Sequence, residues 1–284
     1  MKFGLVNHGG RAGICIDDRV YDLERDSGGT LTADPMHALA EWEAVLCWAE
    51  DLGADVDSQP LDTSLLLAPV PAPQKIFGVG LNYHDHAREA GLDVPKSPLI
   101  FTKFPNCLQR PDGDVELSSD RVDWEAELVV VIGRGGRGIS EAEALSHVAG
   151  FMVGQDISDR RLQFNGKPPQ FSMGKSIDTF GPIGPAVVPL GCLDDPNDLA
   201  ITCDVAGERM QESRTSEMIF SVSELVAWLS GHCTLTPGDL IFTGTPAGVG
   251  SVRDPRRYLA EGERIVTTIE GLGTIENRCV LPAG

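Results

Sequence analysis

Asp123-Trp124-Glu125-Ala126-Glu127-Leu128-Val129-Val130-Val131-Ile132 is an apolar strand signal with acids at its entrance. Strand side chains alternate between faces, so Glu125 and Glu127 point the same way, about 7 Å apart. The Leu-Val-Val-Val-Ile run that follows predicts a buried strand. Burying two like charges is strongly unfavourable unless something positive lies between them. The natural guest is a divalent metal, and all-oxygen ligation favours Mg²⁺, Mn²⁺ or Ca²⁺ over zinc. A lone E-x-E reads more readily as an exposed strand end carrying two solvated acids. The rest of the chain decides between these readings.

On either side of this stretch, strand signals dominate: Lys75 to Val79, Pro98 to Lys103, Phe151 to Asp156, Leu199 to Val205, Asp239 to Thr243 and Arg264 to Ile269. One helix is predicted from the capping box Ser140-x-x-Glu143 to Gly150. A second carries Val222, Leu225, Val226 and Leu229 at helical spacing and stops at Gly231. Too few helices alternate with strands for a doubly wound sheet, so the body is expected to be α+β, mainly β, with a mixed sheet. Before it, Lys2 to Val6, Arg11 to Ile16 and Arg19 to Leu23 read as short strands, and Asp34-Pro35 opens a helix. The stiff connector Pro69-Val70-Pro71-Ala72-Pro73 divides a small N-terminal domain, 1–70, from a catalytic domain, 71–284.

The chain of 284 residues is large enough for a full-sized core. Its net charge of −19, from 23 basic and 42 acidic side chains, argues against nucleic-acid or anionic-membrane partners. With no run of about 18 apolar residues and no signal-peptide pattern, a cytoplasmic location is expected. Seven cysteines, an odd number without a C-x-x-C pair, fit reduced thiols better than a disulfide framework or a zinc cage. In so acidic a chain an anionic substrate needs local cations. Lys103, Arg160 and Lys175 are the candidates.

Three further segments add to the paired acids. Gly154-Gln155-Asp156 ends an apolar strand with an acid able to act as a third carboxylate ligand, or simply to form a turn. Gly174-Lys175-Ser176 sets an ammonium among small residues, where it reaches a ligand or is merely solvated. His86 and Glu89 share a helical face, so the carboxylate can orient the imidazole as a general base requires. His84 and His86 also form an H-x-H pair, which suits zinc or iron better than the carboxylates do.

Together these motifs resemble the fumarylacetoacetate hydrolase family. The resemblance runs in order from about Pro73 to the C-terminus. It rests on Gly80-Leu81-Asn82-Tyr83, His86-x-x-Glu89, Phe101-Thr102-Lys103, Asp123 to Leu128, Gln155 to Arg160, Gly174 to Pro185, Pro237-Gly238-Asp239 and Thr243 to Gly250. It implies a mixed β-sandwich roll, a smaller N-terminal domain, a homodimer and a small 2-oxo or 2,4-dioxo acid substrate. By the same resemblance Glu125, Glu127 and Asp156 bind Mg²⁺ or Mn²⁺, Lys175 stands beside the metal, and His86 and Glu89 belong to a mobile lid. Arg160, Gln163, Thr245 and Lys103 are implied as substrate contacts. Asp159-Arg160-Arg161 departs from the Ala-Arg-Asp common at this point in the family.

A divalent ion in such a site acts as a Lewis acid on a 2-oxo acid, so three activities share one arrangement. Hydrolysis of the C3–C4 bond of a 2,4-dioxo acid uses a water activated by His86. Oxaloacetate decarboxylation needs no water, and isomerisation or hydration of an unsaturated dioic acid needs proton movement. Hydrolysis is the expected activity, because the His86/Glu89 pair supplies the activated water. Asp178 to Pro185 and Thr215 to Phe220 also resemble the branch acting on acylpyruvates and 2,4-diketo-3-deoxy sugar acids. A metal-binding dimer without catalysis fits poorly with the joint presence of His86, Glu89, three acids and Lys175.

Overall fold

Every residue of Ala126–Ile132 is buried, because this strand has a partner on each edge. Val148–Gln155 lies antiparallel on one side and Leu240–Phe242 antiparallel on the other. A central strand covered on both faces has no solvent side to mark with polar residues, which explains the unbroken apolar run. The structure, a computed structural model, describes residues 2–52 and 56–282.

Among the described residues the strands form a twelve-stranded mixed sheet, a five-stranded sheet and a two-stranded ribbon. The five-stranded sheet packs on the strands Ala126–Ile132, Val148–Gln155 and Gly181–Val188 of the large one. Its strands Ala200–Val205 and Arg264–Ile269 bury alternate residues, as expected of a sheet with one face on a core. The fold is thus the mainly β, mixed roll anticipated. The N-terminal strands Gly4–His8, Arg11–Ile16 and Arg19–Asp22 lie at one end of the large sheet, joined to it by Leu5 opposite Val187. Asp34 caps the helix Pro35–Ala40 as its sequence suggests, accepting from the backbone N–H of Met36 and His37.

The α-helix expected over Ser140 to Gly150 does not form; within that span there is only the short 3-10 turn Ala144–His147. Ser140 and Glu143 close a local turn, and Val148–Gln155 is already strand. Pairing of Gly150 with Val131 prevails over the local cap, and a Cβ on Gly150 would lie 2.3 Å from the Val188 carbonyl oxygen. The capping box that does form is Ser221 with Glu224, at the start of Val222–His232. No helix among the described residues is long and apolar enough to cross a membrane.

Asn82 joins the fold to the site. Its fully buried amide donates to the carbonyls of Phe220 and Thr243, at 3.1 and 2.7 Å, and accepts from the Phe220 N–H at 2.8 Å. Asn82→Ala would strand these backbone groups in a dry interior, each worth about 1–3 kcal/mol. We expect a loss of roughly 2–4 kcal/mol in urea unfolding with little change in denaturant slope.

Candidate active site

The register of one strand pair assembles the acidic cluster. Ala126 stands opposite Gln155 and Glu127 opposite Gly154, so Asp156 falls opposite Glu125, where its N–H donates to the Glu125 carbonyl at 2.9 Å. Residues facing one another across an antiparallel pair share a side, and so do residues two apart on one strand. Glu125, Glu127 and Asp156 therefore converge. Each is buried, and each offers a carboxylate oxygen within 4.8 Å of the others.

Cations surround two of the three acids. The Lys175 ammonium donates to Glu125 at 2.7 Å, Asp156 at 2.6 Å and the Ser158 hydroxyl at 2.8 Å. Lys103 donates to Asp156 at 2.7 Å and to the carbonyls of Phe180 and Lys175. Arg160 spreads its guanidinium over Glu125 at 2.6 Å, Asp123 at 2.8 Å and the Gln163 side-chain oxygen at 2.9 Å. Its position is set by Asp159, which caps the short turn Arg160–Gln163, while Arg161 turns outward to Asp120. Glu127 differs from its neighbours: it accepts from the Gly244 N–H at 2.8 Å and meets none of these cations.

The electrostatics follow from that asymmetry. Burial alone would raise the Glu125 carboxyl, but Lys175 and Arg160 outweigh it and hold the pKa at about 2. Glu127 is driven well above the ordinary carboxylate range by burial and by the charges of Asp156 and Glu125. Burial works against the Lys175 ammonium, yet Asp156 and Glu125 raise its pKa, so it remains a cation. A further positive charge, beside Glu127, would relieve the remaining imbalance. Three carboxylates with no histidine or cysteine form the donor set of a hard divalent ion, and their spacing fits one shared ion.

A cavity of about 300 Å³ opens above this floor, with His86, Glu125, Arg160, Gln163, Lys175 and Thr245 among its lining. Thr245 donates to the Ala126 carbonyl and accepts from Gln211, both at 2.8 Å. His86 lies on the helix His84–Ala90, which ends at Gly91 in the left-handed region, φ 64°. Its Nδ1 lies 3.4 Å from the Glu89 carboxylate, and that carboxylate also accepts from the Gly248 N–H at 3.0 Å. These contacts hold Glu89 ionised below the ordinary range, against the effect of burial.

Not every expected contact lies on the cavity. Lys103 is outside its lining, with no exposed side-chain surface, and its ammonium is taken up by Asp156 and two carbonyls. It anchors Asp156 rather than facing a ligand. Glu89 stands behind His86. Sequence reasoning missed Asp123, which holds Arg160 while accepting from the N–H groups of Gly250 and Ser251. It also missed Asp85, which fastens the His86 helix to Ser213 at 2.7 Å and to the Ala247 N–H at 3.3 Å. Asp123 was visible in the same motif as the two glutamates, but Asp85 had no signal beyond its neighbours.

Residues 75–280 match the fumarylacetoacetate (FAA) hydrolase C-terminal family, and the chain belongs to that family of enzymes. Among curated proteins it is similar to the oxaloacetate tautomerase FAHD2B, mitochondrial, of Bos taurus, 43% identical over 254 residues and covering 88% of this chain and 81% of that one. A fumarylacetoacetate hydrolase from psychrophilic Exiguobacterium antarcticum superposes with a TM-score of 0.84 at 32% identity, covering 99% of this chain and all of the other. A maleylpyruvate hydrolase from Sphingobium sp. SYK-6, solved with manganese(II) and pyruvate, gives 0.81 at 26% identity over the whole of both chains. These relatives act on small oxo acids, and the manganese-bound neighbour agrees with the acidic cluster as a divalent-metal site. They also correct one expectation. The cytoplasmic location inferred from the absence of a signal pattern is withdrawn, because similar curated proteins, the oxaloacetate tautomerases of Bos taurus and Homo sapiens among them, are mitochondrial.

Proposed function

We propose that the chain catalyses proton transfer at C3 of a small 2-oxo acid, interconverting its keto and enol forms, with Mg²⁺ or Mn²⁺ held by Glu125, Glu127 and Asp156. Hydrolysis was the first expectation from the sequence. Similarity to oxaloacetate tautomerases supports the proton-transfer alternative better. The structural observation that carries the reading is the placement of His86 on the wall of the cavity whose floor holds Glu125 and Lys175.

A bound divalent ion supplies Lewis acidity toward the carboxylate and 2-keto oxygens of the oxo acid. The side chains do the rest. Glu89 accepts from His86 Nδ1, which leaves Nε2 to take the C3 proton in one direction and return it in the other, while the proton on the 2-oxygen of the enol exchanges with solvent. Lys175 and Arg160 keep Glu125 ionised and balance the charge of the floor.

The test is the decay of the enol form of oxaloacetate, followed by ultraviolet absorbance, with pyruvate measured in parallel. The expected result is acceleration that disappears with a chelator and returns with Mg²⁺ or Mn²⁺, without matching pyruvate release. Pyruvate formed in step with enol loss would replace this reading with decarboxylation. No acceleration at any metal concentration would remove it.

A further inference from the structure

We propose that the outer half of the cavity is an aromatic-lined subsite, and that the chain prefers 2-oxo acids bearing an apolar, aromatic group beyond C4 over those bearing a second carboxylate there. This rests on the reading of the floor as the 2-oxo acid site. It adds the class of substituent that the far end accepts.

The subsite is built by a pattern in two paired strands. Gly78 stands opposite Phe101 and Gly80 opposite Leu99. A Cβ at Gly78 would lie 2.3 Å from the Phe101 ring, and one at Gly80 2.7 Å from Leu99. The two glycines therefore let large apolar side chains lie flat across the neighbouring strand and form a wall. Phe171 continues the wall with its ring centroid 5.8 Å from that of Phe101, and Phe164 stands edge-on to Phe171 at 6.3 Å. The wall begins at the reacting end, since the Lys175 ammonium lies 5.0 Å from the Phe101 ring centroid.

Charge points the same way. Among the described lining residues the basic side chains are His86, Arg160 and Lys175. Arg160 and Lys175 are already paired with the floor carboxylates, and His86 with Glu89. The one cation among the described lining residues that stands beside an aromatic ring, Lys175 at Phe101, is already bonded to Glu125 and Asp156, so a distal carboxylate would be desolvated at the outer rings without a free partner. Leu92, Leu99 and Phe164 are each more than half exposed, at 57%, 53% and 55%. Such a cluster at the mouth of a cavity is the mark of an apolar binding surface. Oxaloacetate has no group beyond C4, so its turnover is compatible with the subsite but does not use it.

The experiment compares two ligands that share a head and differ at the tail, 2-oxo-4-phenylbutanoate and 2-oxoglutarate. Their dissociation constants are measured by calorimetry on the Mg²⁺-loaded protein, with oxalate as a ligand that has no tail. The phenyl ligand is expected to bind about 10- to 100-fold more tightly, the gain from burying one aromatic ring. Phe164→Ser, at an exposed position, should reduce that preference by roughly threefold or more and leave oxalate unchanged. Phe164→Arg should shift the preference toward 2-oxoglutarate. Equal affinities, tighter 2-oxoglutarate, no binding of either ligand, or a preference untouched by both variants would each overturn the subsite. Because binding is read without turnover, loss of the tautomerase reading alone leaves this result standing, and the reverse also holds.

Discussion

Glu127→Gln should leave less than about one-thousandth of the metal-dependent rate while making the metal-free protein more stable. The kinetic half follows from the ligand set. Removing one of three carboxylates from a site within 4.8 Å weakens the ion's hold and its placement, and Lewis-acid stabilisation worth several kcal/mol corresponds to about 10³-fold in rate. The stability half follows from Glu127's surroundings. Its neighbours Glu125 and Asp156 share Lys175, but Glu127 accepts only the Gly244 N–H among these contacts, and a glutamine oxygen can accept that same bond. Because the folded-state carboxyl titrates well above its ordinary 4.5, the metal-free chain loses stability as pH rises past that value. The gain in Glu127→Gln should therefore be near zero around pH 5 and grow to roughly 2–6 °C in melting temperature around pH 9, the shift given by about 1–2 kcal/mol. Glu125 runs the other way. Held at about 2 by Lys175 and Arg160, it contributes stability above 4.5 that is lost as pH falls toward 2. Asp156→Asn is the control of opposite sign, because it strands the buried Lys103 ammonium and should destabilise the chain. Melting curves across pH with and without Mg²⁺ decide the matter. Wild-type activity in Glu127→Gln at low metal would remove Glu127 from the metal set.

The acidic floor was legible in the sequence because two local patterns carry it. Alternation placed Glu125 and Glu127 on one face, and the apolar runs on both sides of the turn fixed the strands whose register brings Asp156 to them. The spacing of His86 and Glu89 told only that a helix there would put them on one face; the helix His84–Ala90 itself came from the structure. What stayed hidden depended on contacts far apart in the chain. Lys103 reads as a cation available to a ligand until the fold surrounds it with Asp156 and the carbonyls of Phe180 and Lys175. Ser140 and Glu143 read as a helix start, but the strand pairing that defeats them lies in Val131 and Val188. The aromatic wall is invisible for the same reason, since nothing local tells Gly78 that Phe101 will lie across it.

His86→Ala should lower enol–keto interconversion of oxaloacetate by about 10²–10⁴-fold, the usual contribution of positioned acid–base catalysis. Decarboxylation of oxaloacetate breaks the C3–C4 bond without first removing a C3 proton. It should fall much less, so the ratio of the two losses reports what His86 does. Glu89→Gln sharpens the test. The carboxylate stabilises the protonated imidazole from 3.4 Å and also accepts the Gly248 N–H that docks the helix. Glutamine keeps an acceptor for that N–H but gives up the charge, so the helix stays docked while His86 becomes a weaker base. The tautomerase rate should fall by roughly 10-fold or more, with decarboxylation much less affected. A merely structural glutamate would lower both reactions alike. Both reactions are measured on both variants at saturating metal, with thermal melts to confirm folding. Equal losses in the two reactions would place His86 and Glu89 in lid closure or substrate binding, and the base would have to be sought elsewhere on the cavity wall.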